Sequence, residues 1–135
     1  MFKKLVFSGM LVLSLVRIEV ATAQGVTEVL ALVGDTLPGD TGTILDLRMA
    51  KINENGQVAI DAVITGGEGL FRAESGMPLV SIARTGDATA NGVFWDFTFS
   101  DINNAGQVAF TGDLTGTSGG SSDDRGYYVG SGGPL

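Results

Sequence analysis

Apolar and polar positions alternate along this chain in two series of short runs, set about fifty residues apart. In the first series Leu45, Leu47 and Met49 fall on one side, against Asp46, Arg48 and Ala50. In the second, Trp95, Phe97 and Phe99 oppose Asp96, Thr98 and Ser100. Period two with a polar reverse side predicts half-buried strands. A longer run follows each, Gln57-Val58-Ala59-Ile60-Asp61-Ala62-Val63-Ile64 and Gln107-Val108-Ala109-Phe110-Thr111-Gly112-Asp113-Leu114. Val58, Ile60 and Ile64 share a face, as do Val108, Phe110 and Leu114. Two shorter runs complete each series. Val29-Leu30-Ala31-Leu32-Val33 is answered by Leu79-Val80-Ser81-Ile82-Ala83, and Gly69-Leu70-Phe71-Arg72 by Gly126-Tyr127-Tyr128-Val129.

The joint between the second and third runs fixes the repeat. Ile52-Asn53-Glu54-Asn55-Gly56-Gln57-Val58-Ala59 returns as Ile102-Asn103-Asn104-Ala105-Gly106-Gln107-Val108-Ala109, with six of the eight positions identical. Asn and Gly between alternating runs predict a hairpin turn, since both accept left-handed backbone angles. Gly34-Asp35 and Gly86-Asp87 mark a second recurrent turn. The expected fold is all-β: two tandem four-stranded antiparallel repeats over 24–78 and 79–135, each like a β-propeller blade, with a small β-sandwich as the alternative. A Gly/Ser/Asp insert at 117–124 reads as a flexible surface loop. Ser131-Gly132-Gly133-Pro134-Leu135 matches Ser75-Gly76-Met77-Pro78-Leu79, the lead into the opening strand of the second unit. A third unit is announced there, so either the chain is a truncated array or the missing strand comes from elsewhere.

The first 23 residues read differently. A basic start at Lys3 and Lys4, an apolar stretch over 5–16 and Ala21-Thr22-Ala23 form a helical signal peptide cut before Gln24. The apolar stretch is shorter than the roughly 20 residues that span a bilayer. The expected localisation is secreted or extracellular, with the periplasm admitted, and no membrane association after cleavage.

Cleavage takes the formal charge from −7 to about −9. So acidic a surface repels nucleic acid and anionic lipid. The chain has no Cys and no His. That removes a disulfide framework, Cys and His nucleophiles, an imidazole base and ordinary zinc or copper sites. A carboxylate pair and an oxygen-ligated metal are what remain.

Three sets of residues stand out. Asp101, Asn103 and Gly106 occupy the first, third and sixth places of a calcium-loop pattern, but Gly112 stands where the bidentate Glu belongs and Lys51 replaces Asp101 in the first copy. No cofactor is expected, with calcium at Asp101 and Asn103 as the one metal the pattern admits. Asp35 and Asp87 recur at equivalent places and read as turn residues before they read as an acid/base pair. Among the aromatic residues, alternation places Trp95 in the core with Phe97 and Phe99, leaving Phe94 on the polar side. Tyr127 and Tyr128 are adjacent, so one of them faces outward. Phe94, Tyr127 and Tyr128 are therefore the candidate ligand-binding residues.

The repeated core has the form Asn-x-x-Gly-x-x-x-Phe. Asn103, Gly106 and Phe110 satisfy it, and Asn53 and Gly56 do so with Ile60 in place of Phe. With the Gly-Asp turn and the Gly-Leu-Phe run, the chain resembles the choice-of-anchor tandem-repeat family named for the NxxGxxxF motif, secreted bacterial proteins often associated with PEP-CTERM sorting anchors. It departs from the pattern in having two repeats and no C-terminal anchor, as a short or truncated member would. The expectation is a non-enzymatic extracellular structural or interaction module, meeting a protein or glycan outside the cell or a second copy of itself. A glycan- or calcium-dependent binding module is the alternative.

Overall fold

The computed structural model of the chain describes residues 27–132, the side chains of Phe99 and Ser100 excepted. The predicted signal segment over 1–23 lies outside those residues. Among the described residues seven strands form: β1 (Ile44–Ile52), β2 (Val58–Ile64), β3 (Gly67–Ala73), β4 (Val80–Arg84), β5 (Val93–Ile102), β6 (Val108–Thr115) and β7 (Arg125–Gly130). They make a four-stranded sheet in the order β1-β2-β3-β4 and a three-stranded sheet in the order β5-β6-β7, antiparallel throughout.

The sheets do not coincide with the sequence repeats. Each repeat was expected to supply its own four strands. Instead the opening run of the second copy, now β4, completes the sheet of the first copy by pairing along β3. Residues 29–33, the corresponding run of the first copy, form no strand. Hydrogen bonding also shifts the correspondence by two residues. Asp35 Oδ2 accepts the Leu32 N–H at 2.8 Å, and Asp87 Oδ2 accepts the Arg84 N–H at 2.8 Å. Leu32 thus stands where Arg84 does, and residues 28–32 are the true counterpart of β4. The turn chemistry, not the apolarity of the run, sets the register.

Alternation along β2 gives the first sheet two unlike faces. Ile60, Ala62 and Ile64 join Ile44, Phe71, Ala73 and Leu37 in one buried cluster on its front, with Leu30 and Ala31 laid partly over them. Ala59 and Leu70 point from the back into a second cluster, with Phe94, Phe97, Val108, Phe110 and Leu114 from the front of the second sheet. The sheets therefore stack back to front. Burying each large apolar side chain there is worth roughly 1.5–3 kcal/mol. The second cluster is aromatic: Phe94 lies 5.1 Å from Phe97 and 4.8 Å edge-on from Tyr128, and Phe97 meets Phe110 at 5.7 Å. The second copy supplies all of these rings.

Two register shifts interrupt each of β1 and β5. In β5 the first falls between Phe94 and Asp96, so Phe94 and Phe97 face the core together and Trp95 is turned out. Strict alternation predicted the reverse. Phe94, expected on the polar side as a ligand candidate, is 1% exposed, and Trp95, expected in the core, is 57% exposed. An extra residue in the strand inverts the face of everything before it. The shift between Leu47 and Met49 likewise prevents Leu45, Leu47 and Met49 from sharing a face. The insert before β7 is exposed and folds on itself: a 3-10 turn over Gly120–Ser122, with the Asp123 carboxylate accepting the Gly119 N–H at 3.0 Å.

Candidate functional site

The repeated turn is built the same way in both copies. Asn53 Oδ1 accepts the N–H groups of Asn55 and Gln57 at 3.0 and 2.9 Å, and Asn103 Oδ1 accepts those of Ala105 and Gln107 at the same distances. Gly56 and Gly106 take the left-handed position, φ +78° and +76°. Asn is needed for its acceptor oxygen, not for a left-handed backbone. That use occupies the Asn103 oxygen offered for calcium. Asp101 Oδ1 accepts the N–H of Ile102 at 2.8 Å, and its Oδ2 lies 3.6 Å from Lys51 Nζ. The two residues that differ at equivalent positions of the motif thus face one another as an ion pair. Among the described residues no group of three or more acidic side chains is arranged to hold a metal.

The two turns also bind each other. Asn53 Nδ2 donates to the Asn103 carbonyl at 2.8 Å, and Asn55 Nδ2 to that of Asn104 at 2.6 Å. Asn104 returns the contact, its Oδ1 accepting the Glu54 N–H at 3.1 Å and its Nδ2 donating to Glu54 Oε2 at 2.8 Å. Arg72, from the back of the first sheet, donates to the Gly106 carbonyl at 2.6 Å. The motif is a hairpin and a clasp between sheets at once.

On the back of the second sheet the pattern differs. Tyr127 is 90% exposed and Val129 61%, at the places where the first sheet has buried Leu70 and half-buried Arg72. Tyr128 points the other way, onto Phe94 and Phe110. Of the three aromatic candidates, Tyr127 is the one that faces outward. Beside it a recess of about 300 Å³ is lined by Asp101, Ile102, Asn103, Gln107, Ala109 and Val129. The matching place on the first sheet is filled by the turn over 103–106. A larger groove of about 470 Å³ runs over the front of the first sheet, between residues 28–32 and the Leu47–Ala50 stretch of β1.

The carboxylates divide by task. Asp35 and Asp87 each hold their own turn. Sequence reasoning missed a different group, Glu68 of β3 with Arg48 of β1, which form an ion pair. Burial pushes the Glu68 carboxyl above its usual range, the neighbouring Asp96 carboxyl pushes it the same way, and the Arg48 guanidinium pulls it down. Its Oε2 is buried without a hydrogen-bond partner. Burial also raises Asp61, against the pull of Arg48. No motif marks this cluster, because Glu68 and Asp96 come from different sheets and lie far apart in sequence. Asp113 is held low by its hydrogen bond to Arg125.

No curated protein and no solved structure matches the chain. One family does, over residues 12–132, a span that takes in both sheets and the clasp between them. The chain belongs to the Family of unknown function (DUF7453).

Proposed function

We propose that this is a secreted, non-enzymatic β-repeat protein whose sheets stack like propeller blades to form a structural or interaction surface outside the cell. The observation that carries the reading is the use of the repeated polar residues. The Asn53, Asn103, Asp35 and Asp87 side-chain oxygens all accept backbone N–H groups of their own turns. What distinguishes the motif chemically is thus committed to holding sheets in register. The resemblance to the NxxGxxxF repeat family and the signal-like N-terminus support export. The outward Tyr127 gives the module an amphipathic contact residue, apolar in its ring and polar at its tip.

Expressing the full chain in a bacterium tests export. The expected product outside the cytoplasm begins at Gln24 by N-terminal sequencing. An uncut chain retained in the cytoplasm would falsify the secretion reading. A glycan array read with the wild type and Tyr127→Ala separates a lectin from a protein scaffold: saturable binding lost in the variant replaces the scaffold reading with the glycan one.

A further inference from the structure

The contact between the two sheets has four parts. The back of the first sheet meets the front of the second, the 53–56 turn meets the 103–106 turn, β4 covers the outer edge of β3, and Leu70 enters the shared core. Each part has a counterpart that this chain leaves unused. Nothing among the described residues pairs with the outer edge of β7, the counterpart of β3. Residues 28–32, the counterpart of β4, extend without a ladder. The front of the first sheet carries an apolar groove, and the back of the second presents Tyr127 and an open recess.

The state of the sheet edges argues the same way. On β1 and β5, register shifts and three carboxylates blunt the edge: Asp46, Asp96 and Asp101 each accept the N–H of the next residue, at 3.0, 2.8 and 2.8 Å. Such devices keep edges from pairing. β4 is short, with the Arg84 N–H taken by Asp87. β7 pairs with β6 in unbroken register, and its one charged residue, Arg125, is tied to Asp113 at 2.7 Å. Among the described sheet edges, that of β7 alone is left fit to pair.

We infer that a second copy of this chain docks head to tail, adding its residues 28–32 to β7 as a fourth strand while its front groove receives Tyr127. The inference rests on the interaction-module reading and names its partner. The register follows from the contact already made. Arg72 pairs with Val80 and Leu70 with Ala83, so Val129 meets Glu28 of the second copy and Tyr127 meets Ala31 of the second copy. The recess beside Asn103 takes the 53–56 turn of the second copy. Asn103 Nδ2, which donates to Gln107 Oε1 at 2.9 Å, then has the same kind of carbonyl partner that Asn53 finds in Asn103. Strand addition supplies backbone hydrogen bonds, and the Tyr pocket supplies specificity. Because the two surfaces are different, the contact is heterologous and generates a ring or a filament, not a symmetric pair.

A chain without cysteine allows a clean test. Glu28→Cys and Val129→Cys variants, each made alone and then mixed under mild oxidation, should give a 28–129 disulfide between copies, mapped by peptide mass. Cα atoms of paired strand residues lie within disulfide reach, so this bond should exceed a Leu32→Cys with Val129→Cys control, four residues out of register, about tenfold. The wild type at about 100 µM should exceed the monomer mass in light scattering, and Val29→Pro should return it to the monomer with its melting transition intact. A monomeric wild type with no 28–129 bond overturns the inference, as does a Val129→Cys chain that crosslinks chiefly to itself. Either failure leaves export and glycan binding to be judged by their own measurements.

Discussion

Asn53 and Asn103 hold the same place in successive repeats, and the first donates its side-chain N–H to the carbonyl of the second at 2.8 Å. Each amide also donates to the Gln four residues on, Gln57 and Gln107, at 2.9 Å, so the first copy's Asn makes one donation more than the second's. Asp keeps the acceptor oxygen that shapes the turn but lacks the amide donor. Asn53→Asp should cost about 1 kcal/mol more than Asn103→Asp, the worth of one net hydrogen bond, in urea denaturation. Equal losses would mean that the Asn53–Asn103 bond adds nothing to stability.

Phe94 and Trp95 test the bulge in β5. Phe94→Ala should lower unfolding free energy by about 3–5 kcal/mol, as expected for a buried aromatic side chain. Trp95→Ala should stay within about 0.5 kcal/mol. The opposite ranking in the same denaturation experiment would restore the strictly alternating strand.

Gly112 answers to Phe94 as well. A Cβ at Gly112 would lie 2.4 Å from Phe94 Cε1, whereas in the first copy Ala62 shares its buried cluster with the smaller Ile44, the strand partner of Ile64. Gly112→Ala should destabilise by about 1–3 kcal/mol through overpacking. Phe94→Ile added to it should cost less than the sum of the two single changes, because the pair recreates the first copy's combination. Strict additivity in a double-mutant cycle would show that the two positions do not compete for space.

Burial raises the carboxyls of Glu68 and Asp61 in the folded protein. A carboxyl whose folded pKa lies above its unfolded value contributes stability that is complete below the unfolded value and is lost as pH rises through the folded one. The melting temperature should therefore climb as pH falls from neutrality toward the ordinary carboxylate range, and Glu68→Gln should flatten that climb. Asp113, held low by Arg125, acts in the opposite sense, and its contribution is lost only as pH falls through its own lowered value. A variant as steep as the wild type across that window would remove Glu68 as the source.

The strands and the hairpins were open to reading because period two and a repeated Asn-x-x-Gly turn are local signals. Three features were not. A one-residue bulge leaves no mark in an alternating run, and it reversed Phe94 and Trp95. Residues 29–33 align with 79–83 by apolarity, yet the carboxylates of Asp35 and Asp87 impose a different register. The first loop absorbs the two extra residues: Leu37 donates to the Gly42 carbonyl where Thr89 donates to that of Gly92. The pairing of Glu68 with Asp96 across sheets depends on how the sheets stack, which no local pattern encodes. Tyr127 was half legible: adjacency required that one tyrosine face out, and only the register with Thr111 decides which.

The borrowed strand sets an order in time. During synthesis β1, β2 and β3 can pair as soon as Ala73 has emerged, but their sheet keeps an open edge until β4 follows, and β4 ends at Arg84. The core behind Leu70 closes later still, once Phe110 has been made. The first sheet therefore passes through a stage in which an apolar back and an unpaired edge are both uncovered, the condition under which nascent β-proteins go astray. The connection from β3 to β4 is short, so the missing strand arrives soon and at high local concentration. Sharing a strand across the repeat boundary makes the first unit wait for the second, and ties the completion of one sheet to the start of the next.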